Sequence, residues 1–260
     1  MPSITYEPRL VAFDLDDTLA ASKSPMQPAM SERLIALLEL VPVCIISGGQ
    51  FGQFSKQVVD KLTDASPTAL ARLHLMPTCG TQYYRFVDGA WTQVYAQNLT
   101  DDEKTRALTA VESEARRLGF WESHTWGPIL EDRGSQITFS ALGQSAPVDV
   151  KAAWDPTGEK KNTLRAAVQE LLPDLEVRSG GSTSVDITRR GIDKAYGIAR
   201  LSELTGIRLT DMLFIGDRLD PEGNDYPVLA MGVPTLAVTG WENTVEVLDE
   251  LIPRLARHDG

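Results

Sequence analysis

Apolar residues cluster across residues 9–13 and stop abruptly at the acidic run Asp14-Leu15-Asp16-Asp17-Thr18, the pattern of a short buried strand with carboxylates at its end. Across residues 31–40 the apolar positions Leu34, Leu37 and Leu38 follow helical spacing, and residues 41–46 return to strand-like composition before Ser47-Gly48-Gly49 breaks the chain. Residues 51–62 predict the next helix. Strand, helix, strand, helix in the first quarter of the chain predicts a parallel sheet.

The middle of the chain is patterned differently. Residues 83–86, 91–95 and 136–141 predict strands, the first two joined by the turn Val87-Asp88-Gly89. Thr100 and Glu103 have capping-box spacing, and Leu108, Val111, Ala115 and Leu118 continue a helical stripe. A second helix is predicted over residues 159–172. Strands grouped with two helices predict an inserted α+β module, placed at residues 83–188. Alternation then resumes: a helix over 194–204 that Gly206 terminates, strands at 212–215 and 234–238, and helices over 226–231 and 244–255. No internal repeat is evident.

Length and charge narrow the chemistry. A chain of 260 residues, 42% hydrophobic and 23% charged, holds enough apolar surface for a core domain and a second module. A formal net charge of −11 repels polyphosphate backbones and anionic lipid, so neither a nucleic acid nor a membrane surface is an expected partner. Any phosphate site must be made locally positive by metal, helix N-termini or placed cations. The two cysteines, Cys44 and Cys79, suit a reducing compartment, and the cytoplasm is the expected location. The opening residues lack a signal-peptide pattern, and no apolar run reaches the roughly 20 residues a bilayer requires. His74, His124 and His258 are scattered without metal-ligand spacing.

Candidate chemistry collects where predicted strands end. Asp14 and Asp16 lie two apart beyond the first strand, at the carboxyl edge where open α/β sheets hold ligands. One carboxylate can attack phosphorus to form an aspartyl phosphate while the second protonates the leaving oxygen and later activates the acceptor, and Asp14 and Asp16 fit those roles. Alone, the run reads equally as a solvated turn with a helix cap. Ser47 and Gly48 form a turn that lets backbone approach an anion, although such turns are more often only turns. Lys194 stands at a predicted helix start, where the macrodipole disfavours a cation unless a negative group compensates; phosphate would do so. Gly216-Asp217 and Gly223-Asn224-Asp225 offer hard oxygen ligands suited to Mg2+. Asp14, the Asp16 backbone carbonyl and Asp217 are the expected direct ligands, with Asn224 and Asp225 holding waters or orienting Lys194. The joint appearance of these elements in one α/β series favours a single site.

Asp14-Leu15-Asp16-Asp17-Thr18, Ser47, Lys194 and Gly216-Asp217 resemble, in order, the four motifs of the haloacid dehalogenase superfamily. The long stretch between Ser47 and Lys194 is where type IIB members insert their cap. The resemblance implies a Rossmann-like parallel-sheet core domain at residues 1–82 and 189–260 with an α+β cap at 83–188. Residues 180–186 and Gly191-Ile192-Asp193-Lys194, the loop 216–226 and the turn around Val238-Thr239 resemble the eukaryotic-type phosphomannomutases. That likeness implies a phosphorylated sugar as substrate, Ser184 and Asp186 on sugar hydroxyls, and pairing into a homodimer through the cap. Where that family holds the distal phosphate with three arginines, this chain has Arg133, Gln144 and Lys151, so one charge is lost and one bidentate fork becomes a point charge. Arg133 and Lys151 read equally as an exposed face. Asp17 and Cys79 stand where the family commonly has glycine and asparagine. The weakened cap charge makes sugar-phosphate hydrolysis the expected reaction. Interconversion of mannose 1- and 6-phosphates is the alternative, and a non-catalytic sugar-phosphate binder the second alternative.

Overall fold

The computed structural model describes residues 7–257; residues 1–6, on which the signal-peptide expectation falls, and His258 lie outside them. In chain order come β1 (Leu10–Phe13), α1 (Pro28–Leu38), β2 (Val43–Ile46), α2 (Phe51–Gln57), α3 (Pro67–Leu70), β3 (Leu73–Met76), the turn-like α4 (Pro77–Gly80), β4 (Gln82–Val87) and β5 (Ala90–Ala96). Next are α5 (Asp101–Arg117), β6 (Leu130–Asp132), β7 (Ile137–Ser140), α6 (Val148–Trp154), α7 (Glu159–Leu171), β8 (Leu175–Ser179) and β9 (Ser184–Arg189). The chain ends in α8 (Lys194–Thr205), β10 (Met212–Gly216), α9 (Tyr226–Ala230), β11 (Thr235–Ala237) and α10 (Trp241–Leu255). Two compact units result: one of residues up to Tyr95 with those from Asp193 onward, the other Ala96–Ile192.

The first unit is built on a sheet of order β11-β10-β1-β2-β3-β4-β5, in which β11 through β3 run parallel. Every residue of β1, β2, β3 and β10 is buried, as expected of strands covered on both faces. Leu34, Leu37 and Leu38 of α1 and Leu248 and Leu251 of α10 cover one face, and Ile198 and Leu201 of α8 with Val228 of α9 cover the other. This is the doubly wound α/β arrangement expected of a Rossmann-like core. Gly206 ends α8 in the left-handed conformation at φ 68°, as its position in the sequence predicts. The single helix predicted over residues 51–62 is instead α2 followed by a 3-10 turn at Val59–Lys61. Met26 N donates to the Gln57 carbonyl at 2.9 Å, a tertiary bond that competes with continuation of the helix.

Residues 83–95, expected in the inserted module, belong to this first sheet. Thr78, Cys79 and Gly80 adopt φ of 48°, 55° and 83°, and this left-handed turn reverses the chain so that β4 returns antiparallel to β3, with Leu75 opposite Tyr84. Tyr83 is buried, and Phe51 stacks on Tyr84 at 3.9 Å between ring centroids. A hairpin's own alternation does not say which sheet it will join. The expected end of the module at residue 188 also moves, because β9 continues through Arg189, whose guanidinium holds Glu103 at 2.7 Å.

The second unit is an antiparallel sheet of order β6-β7-β9-β8. Val111 and Leu164 on its helices α5 and α7 pack with Ile137, Phe139, Val185 and Ile187. Helix α5 opens with the predicted capping box: Thr100 Oγ1 accepts from Glu103 N at 3.2 Å, and Glu103 Oε2 accepts from Thr100 N at 2.6 Å. The strands' two-residue period then sets Thr138, Ser140, Ser184 and Asp186 together on the face opposite the apolar residues. No helix of the described residues is long and apolar enough to cross a membrane.

Candidate active site

Strand register brings the carboxyl ends of three loops to one sheet edge. Phe13 is level with Ile45 on one side and Ile215 on the other, so Asp14, the Ser47 turn and Gly216-Asp217 all leave the sheet at the same end. Asp14 N donates to the Ile215 carbonyl at 3.0 Å, extending the ladder one residue and holding the Asp14 backbone in place. Carboxylate oxygens of Asp14, Asp217 and Asp225 lie within 4.8 Å of one another.

The loop that carries two of those carboxylates closes on itself. Arg218 N donates to Asp225 Oδ2 at 3.1 Å, and Asp225 N donates to the Arg218 carbonyl at the same distance. A Cβ on Gly216 would collide with the Asp225 carboxylate and one on Gly223 with the Arg218 carbonyl, so both glycines are needed for the loop to close. Thr18 Oγ1 donates to Asp217 Oδ1 at 3.4 Å.

Lys194, the first residue of α8, is 1% exposed, and its Nζ lies 2.6 Å from both Asp14 Oδ1 and Asp225 Oδ1. The compensation expected from phosphate at this helix start is therefore supplied within the chain by two carboxylates. Asp193 caps the helix by accepting from Tyr196 N at 3.0 Å. Helix α8 reaches this depth because Gly197 lies against the Cys79 carbonyl and Ile46, where a Cβ would clash. Burial opposes the Lys194 charge, but Asp14 and Asp225 outweigh it and hold the ammonium above its ordinary range.

Three carboxylates around one ammonium leave the site short of positive charge. Burial, with Asp225 adding repulsion, pushes the Asp14 carboxyl up to about 8 against the pull of Lys194. Burial and Asp225 raise Asp217 as well. Hard oxygen donors with an excess of negative charge are the donor set a divalent cation such as Mg2+ satisfies, so the residues present fit one. Asp225 is fully buried within this cluster, and Asn224, expected beside it, is exposed.

Ser47 is buried at the end of β2; its Oγ accepts from Gly49 N at 3.2 Å and its carbonyl from Cys79 N at 2.9 Å. Thr78 N donates to the Gly49 carbonyl at 2.9 Å, so the left-handed turn before β4 is also what fixes the Ser47-Gly48-Gly49 loop. A Cβ on Gly48 would meet nothing within 4 Å, so this glycine faces open space. Asp17, where the resemblance led us to expect glycine, takes the glycine-like φ of 59°.

Asp16, expected to meet the metal through its backbone carbonyl, turns its side chain elsewhere. Its carboxylate stands apart from the three-aspartate cluster and is held by Lys23 N at 2.8 Å, Lys23 Nζ at 2.6 Å, Gln53 Nε2 at 3.0 Å and Gln57 Nε2 at 3.2 Å. Burial works against its charge, but Lys23 and the amide donors prevail and hold it below the usual carboxylate range. Sequence reading missed Lys23, Gln53 and Gln57; the available signal was the spacing of the two glutamines, one turn apart on a helix beside the acidic run.

In the second unit the structure gathers the other expected residues along the polar sheet face. Gln136 Nε2 donates to Thr138 Oγ1 at 2.9 Å, and Thr138 Oγ1 to Asp186 Oδ1 at 2.7 Å. The Ser140 and Ser184 hydroxyls are 3.2 Å apart, Gln144 Nε2 donates to Ser140 Oγ at 2.6 Å, and Lys151 Nζ donates to the Gln144 carbonyl at 2.7 Å. Arg133 is not an exposed face: its side chain is 8% exposed and bonded to Glu131 at 2.6 Å, because Glu131 and Arg133 project from the same side of the chain. His74 is a satisfied core histidine, its Nδ1 2.8 Å from the Tyr83 hydroxyl.

Known proteins resemble the chain along most of its length. A family model described as haloacid dehalogenase-like hydrolase matches residues 146–231, a stretch that includes Lys194, Asp217 and Asp225. A protein of Caenorhabditis elegans described as a probable phosphomannomutase is 25% identical over 233 residues, covering 85% of this chain and 86% of its own. Among solved structures, an N-terminally truncated, IMP-bound IMP-nucleotidase of Plasmodium falciparum matches with a TM-score of 0.71 at 13% identity, over 96% of this chain and 70% of that one. A haloacid dehalogenase-like hydrolase from Bacteroides thetaiotaomicron matches with a TM-score of 0.63 at 16% identity, over 94% of this chain and 100% of that one.

Proposed function

We propose that this chain, a phosphomannomutase-like enzyme of the haloacid dehalogenase superfamily, hydrolyses a hexose phosphate through an aspartyl phosphate formed on Asp14. The observation that carries this reading is the cluster of Asp14, Asp217 and Asp225, two of whose carboxylates, Asp14 and Asp225, are buried and bonded to the single ammonium of Lys194. Asp14, Asp217 and Asp225 would hold Mg2+, which when bound supplies positive charge for the oxygens of the transferring phosphoryl group. Lys194 fixes the Asp14 carboxylate at 2.6 Å and adds its own charge beside the reacting phosphorus.

In the first half-reaction an Asp14 oxygen bonds to phosphorus as the bond from phosphorus to the sugar oxygen breaks, and Asp16 gives that oxygen a proton. In the second, Asp16 takes a proton from water, the water oxygen bonds to phosphorus, and the Asp14–phosphorus bond breaks. Ser47, with the backbone of Gly48, would receive the phosphoryl oxygens. Ser184 and Asp186 would contact sugar hydroxyls.

Hydrolysis is preferred over interconversion because of the three positions that the mutase likeness gives to arginine. Gln144 is neutral, Lys151 is bonded to a carbonyl, and Arg133 is neutralised by Glu131. A mutase must hold a hexose bisphosphate by either phosphate and exclude water, which calls for more cationic grip than this. The second reading, interconversion of mannose 1- and 6-phosphates, draws on the likeness to the Caenorhabditis elegans protein over most of both chains. Incubating pure protein and Mg2+ with hexose 1- and 6-phosphates, with and without a hexose bisphosphate primer, separates them. Free phosphate is the expected product; isomer interconversion without net release replaces hydrolysis with the mutase reading.

A further inference from the structure

Two glutamines on α2 have no part in the expected motifs, yet both aim their amide nitrogens at Asp16. Gln53 and Gln57 are one helical turn apart, and their Nε2 atoms reach different oxygens of the carboxylate, Oδ2 at 3.0 Å and Oδ1 at 3.2 Å. Lys23 completes the cradle through its backbone N and its Nζ, and that Nζ also donates to Gln53 Oε1 at 2.9 Å. Both carboxylate oxygens are thereby fixed, so the plane of the group is set as well as its position. Gln57 is 2% exposed, and its second amide hydrogen goes to the Ser24 carbonyl at 2.8 Å.

The buried side of this arrangement is costly. Gln57 Oε1 is buried and finds no donor among the described residues, which opposes folding. An aliphatic side chain of similar length would fill the same space without burying an unpaired acceptor. The glutamine is better accounted for by what its nitrogen holds than by packing.

We infer that Gln53 and Gln57 are positioning residues that hold Asp16, through two different carboxylate oxygens, in the orientation from which it deprotonates the water attacking the Asp14 phosphoester. The inference rests on the reaction proposed above and adds residues to it. Neither glutamine touches the phosphorus; each acts through Asp16. Misplacing a general base by about 1 Å costs on the order of 100-fold, so losing one of two glutamine donors should fall within that range.

The test separates the two half-reactions. With 4-nitrophenyl phosphate and Mg2+, the leaving nitrophenolate needs no proton, so formation of the phosphoenzyme does not call on Asp16. Its breakdown does. Phosphoenzyme is formed with labelled substrate, chased, and quenched in acid over time, while nitrophenolate release is followed in the same mixture. Gln57→Met is expected to slow breakdown by roughly 10- to 100-fold and Gln53→Met by roughly 10-fold, with nitrophenolate formation in the first turnover within about threefold of the parent.

Breakdown at the parent rate in both variants overturns the inference. So does an equal fall in both half-reactions, since that marks a general structural role. If Gln57→Met does not fold, the partly exposed Gln53→Met decides alone by the same criterion. A parent protein that forms no phosphoenzyme with either the aryl phosphate or hexose phosphates defeats the aspartyl-phosphate reading itself, a result distinct from a failure confined to the glutamine variants.

Discussion

The two polar regions of this molecule differ in whether the chain satisfies them. At the edge of the first sheet, three aspartates cluster with one lysine, which pairs with the buried Asp14 and Asp225 while Asp217 is half-buried. On the polar face of the second sheet, Arg133 pairs with Glu131, Thr138 with Asp186, Ser140 with Ser184 and Gln144, and Lys151 with a carbonyl. The first region holds more carboxylates than its one ammonium pairs, a donor set that fits a divalent cation. The second is already balanced, so a ligand there must displace existing bonds, which favours selectivity over tight grip. The two regions thus present opposite electrostatic conditions.

The largest expected effect comes from Asp14→Asn, which removes the nucleophile. Phosphate release should fall by more than about 1,000-fold, while the melting temperature without metal holds or rises because a carboxyl that burial penalises gives way to a neutral amide. Retained parental turnover would discard Asp14 as the nucleophile.

Next is Lys194→Met, which leaves Asp14 and Asp225 buried without their counter-ion. A loss of about 3–5 kcal/mol in urea unfolding without metal is expected, together with loss of turnover. A change under 1 kcal/mol would mean that the ammonium is not what balances the cluster.

Metal and pH sharpen the contrast further. Asp14 has a folded value of about 8, above its ordinary value of 3.8, so the folded state binds the extra proton. That stabilising contribution is complete below pH 3.8, declines as pH rises, and is lost above about 8. In chelator, the melting temperature should therefore show a downward contribution from pH 5 to 8. Millimolar Mg2+ should flatten it and raise the melting temperature most at the alkaline end. Asp217→Asn should weaken that response. A metal response independent of pH and of Asp217 would break the charge-surplus account.

On the balanced face, Gln144→Arg places a cation at the one neutral position of the three. With a hexose bisphosphate primer, it should shift products toward isomer interconversion by roughly 3- to 10-fold relative to free phosphate. An unchanged product ratio would show that charge at this position does not set the outcome.

The smallest effect concerns strain beside the Ser47 loop. Cys79 holds φ 55°, a conformation that asparagine tolerates better, so Cys79→Asn should stabilise by about 1 kcal/mol. A loss of stability would mean that the thiol's contacts outweigh its backbone strain.

Much of the first region was legible along the chain, because its residues fall where local patterns change. Asp14 ends an apolar run, Ser47 follows the next one, Lys194 opens a helix, and Asp217 follows the strand whose last apolar residue is Ile215. The cradle around Asp16 was not legible, because Gln53 and Gln57 fit an ordinary helix surface and meet Asp16 only once α2 is folded against the first loop. The placement of β4 and β5 was hidden for a similar reason: their hairpin pattern fits either sheet, and the left-handed turn at Thr78, Cys79 and Gly80 decides between them.

By itself, the order of apolar and polar residues determined the alternating strands and helices, the capping box at Thr100 and the loops that hold the acidic groups, since each depends on neighbours within a few positions. Only tertiary structure decided that Asp225 shares Lys194 with Asp14, that Asp16 is held apart by an amide pair, and that Arg133 is neutralised by Glu131. Charge balance is a property of distances in space. The chain order lists the charges, and folding sets which of them meet.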